Sequence, residues 1–567
     1  MHPCCSGAGP PAAEQPVEPA AAPEEAAAAP AAKLVYGNLP RNETYIVGHQ
    51  VPSSDIWDAF NPFAANNNNA SGFFQVAIEL PFYRDDNTNL FPFLAKSWEY
   101  SEDGKTFTLN IVDSANWNDG TPLTVEDWIF TVNYYIENMA KIAGGVGLER
   151  SVDNVKAEGT DKLVFTLKEP DFRFHQQFIN GFYVLPKHVW EGQDPTEFTN
   201  PNAVFSGPYK LVSTNNETRV VIWERRDDYW NKEKMPAPKY MVWTQAPKQD
   251  LSTLEWEQGN YDLGSLENAP VKTAMQTNPN IAQYLGLDPC PRRVAFNHTV
   301  KPLDDPAFRH AMSLLIDRQK AVNTGDPPGY PNVVPWPYDP TQGNPPPVFY
   351  NPADIDKYDI GKFDPAKAAQ ILDEAGYKLE NGKRLNKEGQ PIQLTAITFQ
   401  PQYTEWRAWA DGMAKEAEAL GIQIDVRVEE VGTFVADLPG GNYEISFMWS
   451  CPQPFDPIST YTDLLPENFK EIGEATWQNP YRYKASQELI DVTEQIRAGS
   501  PDDPTVQALY KKAFGLVYAD YVYGHLFGDY FVIPYNNEYW QGYEKANMLV
   551  YWGPLFRHIL TYIEPAQ

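Results

Sequence analysis

The stretch FMWSCPQPFDP, residues 447 to 457, ends a strand-like run with an indole, a thiol, an amide and one carboxylate set among three prolines. Such groups are suited to holding a molecule. Trp449 offers a flat face to the C–H surface of a ring, while Gln453 and Asp456 offer an amide and a carboxylate to hydroxyls. Comparable sets recur at Trp336 in VVPWPYDP, at Trp256 beside Glu257, at Tyr403 with Trp406, and at Trp57 and Asn66 in WDAFNPFAANNNN. The usual signatures of bond-breaking chemistry do not appear. The eight His form no HExxH pair, the Cys show no CxxC spacing, and no GxSxG elbow or Walker loop occurs. GGVGLE at 144–149 lacks the strand and helix context of a phosphate loop. No cofactor and no metal are expected.

The segments that must position these groups alternate between strand and helix. KTFTLNIV (105–112) alternates as a strand, and TVEDWIFTVNYYIENMAK (124–141) opens as a helix with Thr124 as N-cap and Asp127 three residues on. DLSTLEWEQGNYDLGSL reads as a helix stopped near Gly259, and DDPAFRHAMSLLIDRQKAVNT as helical throughout. FDPAKAAQILDEAGY places Pro365 near a first helical position, where its missing N–H costs nothing. PIQLTAITF, TEWRAWADGMAKEAEALG and IQIDVRVEEV form a strand–helix–strand unit, which implies parallel pairing with a right-handed crossover. The Pro-rich stretch 326–352 reads as irregular.

A chain of 567 residues exceeds a single core, so at least two compact units are expected. With 75 acidic against 45 basic residues, it has no basic footprint for nucleic acid or an acidic membrane surface. No run of eighteen apolar residues spans a bilayer. Residues 1–32 are an Ala/Pro/Glu tail too poor in apolar surface to fold. Its early Cys4 and Cys5 resemble the lipid acceptor of a bacterial lipoprotein, followed by a tether.

Five blocks in order resemble the family-five extracellular solute-binding proteins of ATP-driven (ABC) importers, whose members bind oligopeptides, dipeptides, nickel complexes or oligosaccharides. They are LAKSWEYSEDGKTFTLNIVDSANWNDGTPLTVEDWIFT (94–131), SGPYKLVS (206–213), VAFNHTVKPLDDPAFRHAMSLLIDR (294–318), FDPAKAAQILDEAGY (363–377) and EALGIQIDVRVEEVGTFVADLPGGNYEISFMW (418–449). The resemblance implies an α/β, two-lobed, hinged periplasmic-binding-protein fold with an accessory domain. Residues 1–34 would be the tether, 35–78, 205–290 and 528–567 lobe one, 79–204 the accessory domain and 291–527 lobe two. Ligand would sit between closing lobes, and the closed form would meet a membrane permease. The protein would be an extracytoplasmic monomer, touching the membrane only through a lipid on Cys4 or Cys5.

By the same resemblance, 447–457 lines the cleft in lobe two. Peptide-binding relatives carry, after the Trp of this strand, an aspartate that pairs with the peptide ammonium. Here Cys451-Pro452-Gln453 supplies no carboxylate, and Asp456-Pro457 matches the Asp-Pro that follows. An unpaired buried ammonium costs several kcal/mol, so the substitution favours a neutral oligosaccharide of the cello or xylo type over an oligopeptide. The ligand contacts expected are Trp449, Gln453, Asp456, Trp336, Trp256, Tyr403, Trp406, Trp57, Asn66 and Asn297, although Asn297, Asp304 and Asp317 also read as caps and strand-end ties. Cys290 and Cys451 are expected to pair as a disulfide in an oxidising compartment. A secreted glycoside hydrolase with two carboxylates across a Trp-lined cleft is the reading from another class.

Overall fold

Alternation decides the strands: Thr106–Ile111 and its neighbour Lys162–Leu167 bury nearly every second side chain, the pattern of a sheet packed on one face. The computed structural model describes residues 36, 38–49, 58–63, 71–84, 90–142, 144–179, 181–247, 249–264, 268–287, 290, 292–324, 349–399, 404–450, 456–527, 530–545 and 556–567. In it these strands form the middle of a four-stranded antiparallel sheet flanked by Ala95–Tyr100 and Val152–Ala157. Helix Val125–Glu137 shares its core with Phe107, Leu109 and Phe165. That helix starts where expected, because the Thr124 N–H donates to Asp127 Oδ2 at 2.9 Å in a reciprocal capping box.

Two larger sheets carry the lobes. The first has seven strands, in the order Ile281–Leu287, Tyr530–Asn536, Leu263–Gly264, Thr44–His49, Tyr240–Gln245, Val220–Arg225 and Tyr209–Asn215. Its main core draws on three separated parts of the chain, represented by Tyr45, Trp223 and Ile559. Also within this lobe, Arg557 lies buried beside Glu79 at 3.5 Å and donates to the Tyr229 hydroxyl at 2.8 Å. The second sheet has five strands, ordered Gln423–Glu429, Gln393–Phe399, Ile445–Trp449, Arg292–Phe296 and Tyr523–Phe527.

The strand–helix–strand unit of the second lobe forms as read, with Gln393–Phe399 and Gln423–Glu429 parallel and helix Thr404–Ala419 between them in sequence. Gly421 ends the helix at φ +82°, where a Cβ would lie 2.8 Å from the Arg384 nitrogen. One expectation is corrected. The run from Asp304 is two helices, Pro306–Ser313 and Arg318–Thr324, not one. Arg318 causes the break to hold: its Nη1 donates to the carbonyls of Ser313 at 3.2 Å and Ile316 at 3.0 Å, and Asp317 Oδ1 accepts from the Lys320 N–H at 2.9 Å.

A buried ion pair ties the four-stranded unit to the second lobe. Arg173 Nε donates to Asp456 Oδ2 at 2.5 Å, Nη1 to the carbonyls of Ile496 at 2.8 Å and Gly499 at 2.5 Å, and Nη2 to the Tyr510 hydroxyl at 3.1 Å. That hydroxyl donates in turn to the other oxygen of Asp456. Burying two charges is offset only when their remaining donors and acceptors are satisfied, and here they are. Removing one partner leaves the other charge stranded. Arg173→Ala should therefore destabilise the protein by about 3 kcal/mol, and Arg173→Lys should recover little, because an ammonium cannot reproduce the planar fork. Denaturant melts of the three proteins check this; an Ala variant as stable as the wild type rejects the role.

Candidate functional site

Binding clefts of α/β sheets open at the carboxyl ends of parallel strands. In the second lobe Gln393–Phe399 and Ile445–Trp449 run parallel as neighbours, and their last residues, Phe399 and Trp449, meet edge to face with ring centres 5.0 Å apart. Phe434 stacks on Trp449 at 6.0 Å and 19°. Trp406 meets Trp449 at 89° and 5.9 Å, packs on Trp409 and lies under the Arg292 guanidinium at 5.3 Å. Trp449 stays half-buried and touches the cores on both faces of the sheet. Its aromatic neighbours fix the plane of its ring.

Several expected ligand contacts are corrected. Trp406 is buried and supports Trp449 from behind. Trp256 is wholly buried in the first lobe with Tyr261, Ile46 and Val242, because helix Gln249–Glu257 turns that side chain onto the sheet. Asn297 is a strand-end tie: its Nδ2 donates to the carbonyls of Gly441 at 3.0 Å and Tyr443 at 2.9 Å, and its Oδ1 accepts from the Thr299 N–H and hydroxyl. Asp456 is buried, and both its oxygens are engaged by Arg173 and Tyr510. Cys290 is disulfide-bonded. Trp57, Asn66, Trp336, Tyr403, Cys451, Gln453, Cys4 and Cys5 lie outside the described residues.

Residues that the sequence reading passed over surround a cavity of about 210 Å³ beside Trp449. Arg293 and Asp463 line it, with Thr460, Trp477 and Gln478. Strand alternation sends Arg292 toward Trp406 and Arg293 to the opposite face, where its guanidinium lies 4.2 Å from the Tyr523 ring centre. The signal was available: an Arg doublet opening the strand RRVAF is costly unless one member faces a polar space. Among the described residues, no group of His, Cys, Asp and Glu is arranged to hold a metal.

Burial pushes the Asp463 carboxyl up to about 7, with Arg293 pulling the other way. A raised carboxyl favours the protonated folded state, so its contribution is complete below the ordinary carboxylate range and is lost as pH rises through about 7. Asp463→Asn, uncharged throughout, should gain on the wild type by about 1–2 kcal/mol between pH 5 and pH 8, after discounting for its partial exposure. Paired melting curves at the two pH values check this; a constant difference rejects it.

The model of the bacterial extracellular solute-binding proteins, family 5 (middle), matches residues 89–470. The chain is 23% identical over 475 residues to the nickel-binding periplasmic protein of Escherichia coli (strain K12), covering 82% of this chain and 85% of that one. It is 23% identical over 483 residues to the dipeptide-binding protein of the same organism, covering 80% and 84%. A periplasmic oligopeptide-binding protein of Thermotoga maritima superposes with a TM-score of 0.79 at 21% identity, over 93% of this chain and 99% of that one. Its mannohexaose-bound structure superposes at 0.73, with the same identity and coverage. With the two large sheets and the strand-end tryptophan in place, this chain belongs to the family 5 extracellular solute-binding proteins of ABC importers.

Proposed function

We propose that the protein captures a neutral oligosaccharide, of the cello or xylo type, between its lobes and delivers it to the permease of an ABC importer without breaking a bond. One observation carries the reading. The single carboxylate of the 447–457 stretch, Asp456, is sealed by Arg173 and Tyr510, while the half-buried Trp449 is held by its aromatic neighbours. A ring stacks on such a surface, whereas a peptide ammonium finds no unengaged carboxylate within that stretch, and Asp463 in the adjoining cavity already faces the Arg293 charge. The mannohexaose-bound Thermotoga structure supports the same choice. The dipeptide-binding relative favours the second reading, an oligopeptide carrier.

Lobe one is assigned 35–78, 205–290 and 528–567, the accessory domain 79–204 and lobe two 291–527, with 1–34 as a tether whose Cys4 or Cys5 carries lipid outside the cytoplasm. Cys451 is assigned as the partner of Cys290. The antiparallel register sets Arg292 opposite Trp449, each two residues in sequence from one of these cysteines, which supports the pairing.

A thermal-shift screen of cello-, xylo- and manno-oligosaccharides beside di- to penta-peptides tests the ligand. A ligand at a hundred times its Kd adds about 2.7 kcal/mol of apparent stability. Shifts with oligosaccharide are expected, and shifts with peptides alone transfer the assignment to the second reading. Cys290→Ser should cost about 2–4 kcal/mol without reductant and nothing with it; equal loss under both conditions refutes the bond.

A further inference from the structure

We propose that the cavity beside Trp449 is the terminal subsite of the ligand cleft and holds one pyranose ring, with Arg293 and Asp463 engaging its hydroxyls. This rests on the oligosaccharide reading and adds to it a place and a set of residues.

Two buried polar groups at this cavity lack partners among the described residues, and a partly exposed carboxylate stands beside them. Arg293 is 3% exposed, yet its Nε has no hydrogen-bond partner among the described residues. Apart from its contact with the Tyr523 ring, the guanidinium has among the described residues one long hydrogen bond, 3.4 Å from Nη1 to the Tyr481 hydroxyl. The Thr460 hydroxyl is buried and also without a partner among the described residues. Asp463 has burial and the Arg293 charge acting on it, but no hydrogen bond to its carboxylate from any described residue. Leaving such groups unmet costs about 1–3 kcal/mol each. A site that carries that cost in the protein alone gains it back when a ligand supplies the missing bonds.

The chemistry of the set selects the ligand. Arg293 only donates, ionised Asp463 only accepts, and the Thr460 hydroxyl and Gln478 amide do both. Arg293 and Asp463 bring opposite charges to one cavity, so an ammonium or a carboxylate drawn to one of them is repelled by the other. Vicinal hydroxyls, each a donor and an acceptor, use the whole set without adding charge. Trp449 at one wall and the half-exposed Trp477 at another present indoles to the less polar faces of such a ring. A volume of about 210 Å³ suits one ring, and further units would extend beyond it.

Titration calorimetry tests this with the cello-, xylo- or manno-oligosaccharide that stabilises the wild type most, against Asp463→Ala, Thr460→Val and Trp477→Ala. Asp463→Ala should weaken binding about tenfold or more, as loss of a charged hydrogen bond does, and the other two should weaken it about threefold to tenfold. Because one unit is held, the factor should be the same for every chain length that binds. Trp477 is 51% exposed, so its variant reports on the site even where a buried replacement impairs folding. A wild type that binds no oligosaccharide removes the oligosaccharide reading and this subsite with it. A wild type that binds, beside variants whose affinity is unchanged or whose loss grows with chain length, overturns the subsite alone.

Discussion

The chain passes between the two large sheets twice, and the residues that flank the two passages pair with one another. Leu287 faces Tyr530 in the first sheet and Arg292 faces Phe527 in the second. Both ladders are antiparallel, so backbone hydrogen bonds clamp the ribbon on either side of the crossing. A rotation of one sheet against the other leaves both ladders intact only if it turns about this ribbon. Arg292 and Arg293 begin the strand that leaves it, and Trp449 pairs directly with Arg292.

That geometry explains why the rings around Trp449 brace one another. Trp449 sits at a strand end, where main-chain pairing stops, and an unbraced indole there would sample several rotamers. Edge-to-face and stacked neighbours remove that freedom before a ligand arrives, which lowers the ordering cost of binding. The Arg173–Asp456 pair gives the same service at a larger scale. It fixes the four-stranded unit to the second lobe through carbonyls at the end of helix Gln487–Ala498, where a cation is also favoured by the helix dipole.

Elements governed by neighbours in sequence were legible. The Thr124–Asp127 cap, the Gly421 stop and the parallel strand pair all follow from patterns spanning a few residues. The break between Ser313 and Arg318 was not legible, because apolar periodicity runs through it and only the folded guanidinium shows which carbonyls it ties. Asp456 was misjudged for a related reason. Its partner lies 283 residues away, and no local pattern separates a carboxylate reserved for ligand from one reserved for a distant arginine. Trp256 and Trp406 show the limit of counting aromatics, since the helix face that carries a ring decides between core and cleft.

The discontinuous core of the first lobe has a bearing on how the molecule is made. Tyr45 waits for Trp223, and both wait for Ile559, more than 500 residues after the first of them. The second sheet draws all its strands from one uninterrupted stretch, Arg292 to Phe527. During synthesis from the amino end, that stretch can close while the other core still lacks its final helix, Phe556–Ile559. The first lobe is thus the later of the two to become native, and its core stays open until Phe556–Ile559 has been made.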